Sequence, residues 1–397
     1  MRRNLLVAQK TAADNRFGDG LSVSFAAKIR GMPTALARTT YTRASAKTVH
    51  HDGVPITLDS GEFSTTWDDV ALSYAFEAEP AATNLALNSD GAAATWTTSN
   101  VADAGTPITG LAASLAFGNN SVQRSATKPV SVTSGTSYSV AVYVEMDDAS
   151  APVLGTTNST GDFAIAINGV ICTTNPLVKK VGSTGTLYRV SCSKSATATA
   201  SHECGIIKYT GQSSKTFRVA KIQVETGVRA TSHIITTGST ATRAADVLVQ
   251  PVSAIKKYNG NQYVLYVSCR RDVILGANTY ALSFSNGATS NRVGMAVNAS
   301  NVENWVVDSG GASQVSFTGA TPGTAVRKRA MSLSLDNFLS AQNGANGTSD
   351  NTMAMPVSVT VLGIGNQNSL SVFNGYIHEV KFINSSYSQA ALTALTA

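Results

Sequence analysis

Between Phe217 and Val224 apolar residues recur with a period of two, and the pattern changes parity once. Phe217 and Val219 share one parity, Ile222 and Val224 the other. A period of two marks an extended strand with two unlike faces, and a single slip is what a β-bulge introduces. Glu225-Thr226-Gly227 closes that strand, because glycine tolerates the positive φ that many turns need. Ala230 to Ser239 reads as extended and polar, broken by Gly238, and Thr242-Arg243-Ala244-Ala245-Asp246 follows. The stretch therefore holds a strand, a turn, an extended connection and a domain boundary. One β-domain precedes it and a second follows.

The composition agrees with that reading. Charged residues make up 14% of the 397, against roughly 25% in an average soluble chain. Ser, Thr, Ala, Asn and Gly take their place, so the expected fold is all-β with many turns and a hydroxyl-rich surface. The length suffices for two or three domains, each with its own core. The net charge of +6 is unevenly placed. Residues 1–48 carry nine basic residues (Arg2, Arg3, Lys10, Arg16, Lys28, Arg30, Arg38, Arg43, Lys47) against Asp14 and Asp19. The other 21 basic and 22 acidic residues nearly cancel. Residues 1–35 thus read as a basic arm that docks on an acidic partner surface. No aromatic residues interleave these charges as RNA binding would require, so no nucleic-acid partner is expected. The alternative for this segment is a strand, Leu21, Val23 and Phe25, that completes a domain behind it.

Along the chain, Asp52-Gly53 and Asn168-Gly169 have the composition of tight hairpin turns. Tyr138, Val140, Val142 and Val144 alternate with Ser139, Ala141, Tyr143 and Glu145, and Phe163, Ile165 and Ile167 repeat the pattern. Leu187–Ser191 gives another strand, and this spacing of strands and turns predicts a sandwich. Beyond Val247, the strand Tyr263–Cys269 is apolar on both parities and reads as covered on both sides. Ser388 caps a short terminal helix whose Leu392 and Leu395 pack back.

Several of these residues carry a family resemblance. Gln223-Val224-Glu225, Ala230-Thr231-Ser232 and Thr242–Asp246 resemble a linker of tailed-bacteriophage virion proteins. Tyr41-Thr42-Arg43-Ala44-Ser45 with Asp52-Gly53 is similar to the lead-in of the same proteins, and Glu79–Leu85 to the start of their jelly roll. Phe373–Phe382 resembles the last strand of laminin G-like domains. The resemblance covers residues 36–397. It implies an arm (1–35), a β-hairpin lead-in (36–82), a carbohydrate-binding-module-like jelly roll (83–246) and a laminin G/concanavalin-like sandwich (247–397). It also implies a head-spike or tail-fibre adhesin that attaches to host-surface glycans, with other virion proteins as partners. The rival readings are a non-adhesive capsid or tail decoration protein and a polysaccharide-degrading enzyme. Fibres and spikes of this type imply a homotrimer, in which weak sugar sites act together by avidity. No coiled-coil heptads are present to drive it.

The chemistry is sparse. No Gly-x-Ser-x-Gly, HExxH or P-loop pattern occurs, and no paired carboxylates point to a glycosidase, so binding rather than catalysis is expected. His50 and His51 are neighbours on a strand and face opposite ways, against a shared metal. His378 shares parity with Val380 and Phe382 and reads as a partly buried structural residue. Trp305, between Asn304 and Asp308, is the candidate glycan-stacking ring, with those two as hydrogen-bonding partners. Its alternative is a core tryptophan. Trp67 and Trp96 read as packing residues. No dense Asp/Asn loop marks a calcium site, and no cofactor is expected. Cys172, Cys192, Cys204 and Cys269 lack metal spacing and read as free, buried thiols. The apolar run after Arg3 is too short for a signal-peptide core, and no run is of membrane-spanning length. Folding in a reducing host cytoplasm, followed by assembly into a virion, is the expectation.

Overall fold

The computed structural model describes residues 20–32, 36, 39–89, 93–111, 113–255, 258–272, 278–319, 321, 323–367 and 371–397. Seven strands precede the jelly roll: β1 (Gly20–Ser24), β2 (Thr40–Thr42), β3 (Lys47–His51), β4 (Val54–Leu58), β5 (Thr66–Asp68), β6 (Ser73–Ala78) and β7 (Ala82–Asn84). The chain then builds two antiparallel β-sandwiches.

The first sandwich has a six-stranded sheet in the order 174–180, 187–195, 137–146, 217–226, 115–117, 102–103. Its five-stranded partner runs 170–171, 164–167, 200–208, 124–132, 97–99. Val140, Val142 and Val144 meet Phe163, Ile165, Ile206 and Val130 between the sheets. Phe217 stacks on Phe117 at 4.8 Å and tilts against Phe163 at the same separation. The parity slip falls where the sequence places it. Gln223 faces Ala141 and Ala220 faces Tyr143, so the bulge lies at Lys221–Ile222, with Lys221 at φ 51°. Asp52-Gly53 and Asn168-Gly169 have positive φ throughout, as two-residue hairpin turns need.

The second sandwich is assembled from both ends of the chain. Its eight-stranded sheet runs 345–350, 337–342, 327–334, 262–270, 375–383, β6, β5, and β1 also pairs with 375–383. The seven-stranded sheet runs β2, 247–251, 361–364, 279–285, 292–297, 303–309, 312–318. Strand 262–270 is buried almost throughout, as expected of a strand covered on both faces. Leu21, Val23 and Phe25 enter the same core as Tyr263, Phe284 and Phe382, while Ser22 and Ser24 face solvent. The terminal helix α1 (Gln389–Thr396) is capped by Ser388 Oγ, which accepts from Ala391 N at 3.3 Å, and buries Leu392.

This arrangement redraws the expected boundaries. The jelly roll is an insertion in a sandwich whose strands lie on both sides of it in sequence. Residues Gly20–Ser24 of the expected arm form a strand of that sandwich, because Leu21 lies opposite Phe382 and Val23 opposite Val380. Residues 1–19 and 33–35 of the arm lie outside the described residues. Much of the local basic charge is spent internally: Lys28 pairs with Asp52, Arg30 with Glu62, and Arg43 and Lys47 are buried. All four cysteines are free and buried. Among the described residues, no helix is long and apolar enough to cross a membrane.

Candidate functional site

The sequence-derived glycan site does not assemble. Trp305 is only 4% exposed and packs in the second sandwich's core. The Arg329 guanidinium sits 4.5 Å from its ring centroid, and Gly319 abuts the ring edge. Asn304 and Asp308 lie on the opposite face of the same strand, as alternation requires, so the three cannot surround one sugar. Asp308 is engaged by Arg292 Nε at 2.5 Å. Trp96 is buried beside Lys128 and Trp67 is half-buried against Tyr74. A stacking platform needs an open ring face; Trp96 and Trp305 are buried, and Trp67 keeps only partial exposure.

What the fold does bring together is a buried ionic junction between the sandwiches. Its first half sits where the chain enters and leaves the insertion. Lys47 Nζ donates to Asp246 Oδ2 and to Glu77 O, each at 2.7 Å, and lies 3.1 Å from Glu79 Oε2. Tyr41 Oη donates to Asp246 Oδ1 at 2.6 Å. Arg43 donates to Tyr41 Oη and to the carbonyls of Ser45 and Asp59. Arg243, fully buried, donates to Pro80 O at 2.6 Å and lies 3.7 Å from Glu79. Burial pushes the Glu79 carboxyl up, but Lys47, Arg243 and Arg229 outweigh it and hold the group well below the usual range.

The second half surrounds Tyr376. Arg270 Nε donates to both oxygens of Asp68, at 2.7 and 2.6 Å, and its Nη1 to Asp272 at 2.5 Å. Arg229 from the insertion's exit segment bridges Asp272 at 2.9 Å and Glu77 at 3.2 Å. Lys179 lies 4.2 Å and Arg270 4.6 Å from the Tyr376 ring centroid, close enough for cation–π attraction. Such ions rarely add net stability, yet they penalise any geometry that leaves one unpaired. The junction therefore fixes how the sandwiches sit.

The hairpin β3–β4 completes the contact. His50 Nε2 meets Tyr143 Oη at 2.9 Å, and His51 Nε2 meets Thr65 O at 2.6 Å, so the two histidines serve separate partners. Among the described residues no cluster of His, Cys, Asp and Glu has metal-holding geometry. Tyr143, Ala220, Leu187 and Val181 on the outer face of the six-stranded sheet close a small core with Ile108 and Leu111. A cavity of about 140 Å³ remains beside the hairpin, lined by Lys47, Thr48, His233, Ile234 and Arg243 among others.

With that sheet face covered, one end of the five-stranded sheet's outer face is left toward solvent, while Thr127, Ala164, Ala166 and Ile207 on the same face are buried. Thr97, Ser99, Pro129, Ser131 and Ser201 are exposed there, and Thr127 Oγ1 donates to Glu203 Oε2 at 2.5 Å. Cross-strand pairing puts them on one surface: Thr127 opposite Thr97 and Gly205, Ser131 opposite Ser201. Chain separation hides this row from sequence reading, although strand alternation gives each member its parity.

No protein-family model matches the chain, and neither does any curated protein sequence. Similar solved structures include the Ruminococcus gnavus IT-sialidase CBM40 bound to α2,3-sialyllactose. It shows 16% identity and a TM-score of 0.31 over 34% of this chain and 83% of that one. The NanB sialidase from Streptococcus pneumoniae shows 11% identity and a TM-score of 0.30, over 37% and 26% of the two chains. The Trypanosoma rangeli sialidase shows 10% and 0.32, over 38% and 26%.

Proposed function

We propose that this chain is a fibre- or spike-type adhesin of a tailed-phage particle that presents its inserted jelly roll to host-surface glycans. The supporting observation is the junction. It consumes one face of the jelly roll, fixes the orientation of the domain with buried ions, and leaves one hydroxyl-lined end of the other sheet face outward. Rows of Ser, Thr and a carboxylate suit hydrogen bonding to sugar hydroxyls without a stacking ring. A shallow polar site of this kind binds weakly, so a homotrimer would multiply it by avidity. Residues 1–19 would carry the contact with other virion proteins.

The test is a glycan array probed with the intact chain, repeated with Thr127→Ala/Glu203→Ala. Binding that the double substitution weakens about tenfold, as the loss of one or two hydrogen bonds would do, supports the reading. A specific observation favours a second reading: Trp96 and Trp305 are buried, and Trp67 is only partly exposed. A chain that incorporates into particles yet binds no glycan would be a decoration protein.

A further inference from the structure

The turn between β5 and β6 brings together three side chains that no sequence spacing connects. Asp68 ends β5 and Ser73 begins β6, opposite each other in the ladder. His378 comes from strand 375–383, where Ser268 faces Glu379 and Cys269 faces Ile377. Position 378 is thus the extra residue of a β-bulge, a device that re-aims a side chain. The bulge removes His378 from the parity of Val380 and Phe382 and turns its ring toward the hairpin. Its Nε2 lies 3.1 Å from Asp68 Oδ2, and its Nδ1 lies 3.4 Å from Ser73 Oγ.

This order sets the tautomer. Nε2 stands at ion-pair distance from the Asp68 carboxylate without hydrogen-bond alignment, so the negative charge alone favours the proton on Nε2 and leaves the Nδ1 lone pair to the serine hydroxyl. Asp68 is held in place by Arg270 and accepts from Val70 N at 3.0 Å. Burial opposes its charge, but the nearby His378 and the hydrogen bonds from Arg270 hold its carboxyl well below the usual range. Ser73 is half-buried, beside a turn whose Val70 and Leu72 are 54% and 73% exposed. Leu72 adopts φ 50° immediately before it, so the serine leaves a tight corner.

The geometry points to a nucleophile, base and orienting acid, Ser73, His378 and Asp68, that hydrolyses short-chain carboxylic esters. The arrangement follows the general logic of an activated hydroxyl. Ser73 Oγ attacks the ester carbonyl while its proton passes to His378 Nδ1. The C–O bond to the alcohol breaks, the alcohol leaves with that proton, and an acyl-serine remains. Water, deprotonated by the same nitrogen, then releases the acid and restores the serine. The net reaction is ester plus water to acid plus alcohol, with nothing oxidised or reduced. Asp68 and Arg270 are positioning residues. The exposed Val70 and Leu72 offer the acyl group an apolar rest.

The test treats the full chain with a fluorophosphonate probe and, separately, with 4-nitrophenyl acetate. The expected result is a single phosphonylated residue, Ser73, identified by peptide mass spectrometry. Ser73→Ala and His378→Gln should each lower ester hydrolysis by about 100-fold or more. Ser73→Ala removes only a half-buried hydroxyl, so an unchanged thermal transition shows that the loss is chemical. If His378→Gln unfolds, the labelling of wild type against Ser73→Ala decides alone. An unlabelled Ser73 in the folded wild type, or hydrolysis undiminished in Ser73→Ala, overturns the proposal.

Discussion

Glu79 and Asp246 hold each other at the two ends of the insertion: Asp246 N donates to Glu79 O at 2.9 Å, and Glu79 N to Asp246 Oδ2 at 3.1 Å. Just beyond them, Ala82 lies opposite Arg243. The entry and exit strands are therefore neighbours, the condition under which one domain can be spliced into another without disturbing the host. A chain joining residues 1–80 to 245–397 through a short Gly-Ser linker should fold cooperatively, since it keeps every strand of the second sandwich. The fragment 247–397 should not, since it lacks β1, β2, β5 and β6. Circular dichroism melts of the two pieces check this. A cooperative transition in the short fragment would refute the shared-sandwich reading.

Lys47 is the hub of the entry cluster, and its loss leaves the charges of Glu79 and Asp246 with only the longer ion pairs to Arg243 and Arg43. Breaking a buried ion pair from one side costs about 3 kcal/mol or more. Lys47→Met should lower stability by that amount in denaturant titrations, and adding Glu79→Gln should recover part of it. A single-mutant effect below about 1 kcal/mol, the size of an exposed pair, would mean the cluster is wet.

Much of the local geometry was legible in the chain itself. Asp52-Gly53 and Asn168-Gly169 announced their turns, the change of parity between Val219 and Ile222 its bulge and Ser388 its cap, because each is a choice between neighbouring residues. What stayed hidden is non-local. Leu21 and Phe382 pair across almost the whole chain, and no pattern within either strand names the other. The ionic junction draws on residues from Tyr41 to Tyr376, so it has no spacing to read. His378 reads from the sequence as a partly buried structural residue and is 7% exposed, but the bulge that aims its ring is legible only from the opposing strand, with Ser268 and Cys269. Trp305 sits among Asn and Asp that face the other way, and a linear string shows adjacency without direction.

Acid should act in two steps. His50 is held neutral, its pKa driven well down by burial and then by Lys179 and Arg189, and burial lowers His51 as well. Both are more readily protonated in the unfolded chain, near pH 6.5, so their contribution is intact above that pH and lost as pH falls. Asp68, Glu79 and Asp272 have lowered folded pKa values and contribute stability that is present above about pH 4 and lost below it. Asp69 and Glu225, raised by burial, work the other way and offset part of the loss. Melting temperatures should therefore decline between pH 7 and 5, then fall further below 4. His50→Gln, which can still bond Tyr143 Oη, should flatten the first decline. An unchanged slope in that variant would remove His50 from the account.

The N-terminal segment separates docking from folding. Leu21, Val23 and Phe25 are 8%, 2% and 0% exposed, and Phe25 packs against Phe63 and Phe76 at ring separations of 6.0 and 5.8 Å. Burying three such side chains is worth roughly 5–8 kcal/mol, a large part of the 5–15 kcal/mol that holds a typical domain together. Removing residues 1–25 should therefore abolish the cooperative melt of the second sandwich, because strand 375–383 loses its β1 partner and the core is opened. Removing residues 1–19 should leave the melt within a few degrees of the full chain. Incorporation into particles then becomes a clean readout: a folded 20–397 chain that no longer assembles assigns docking to the first 19 residues. If that shorter deletion assembles normally, the basic charge there has no docking role. If it unfolds, the core extends further toward the N-terminus than β1.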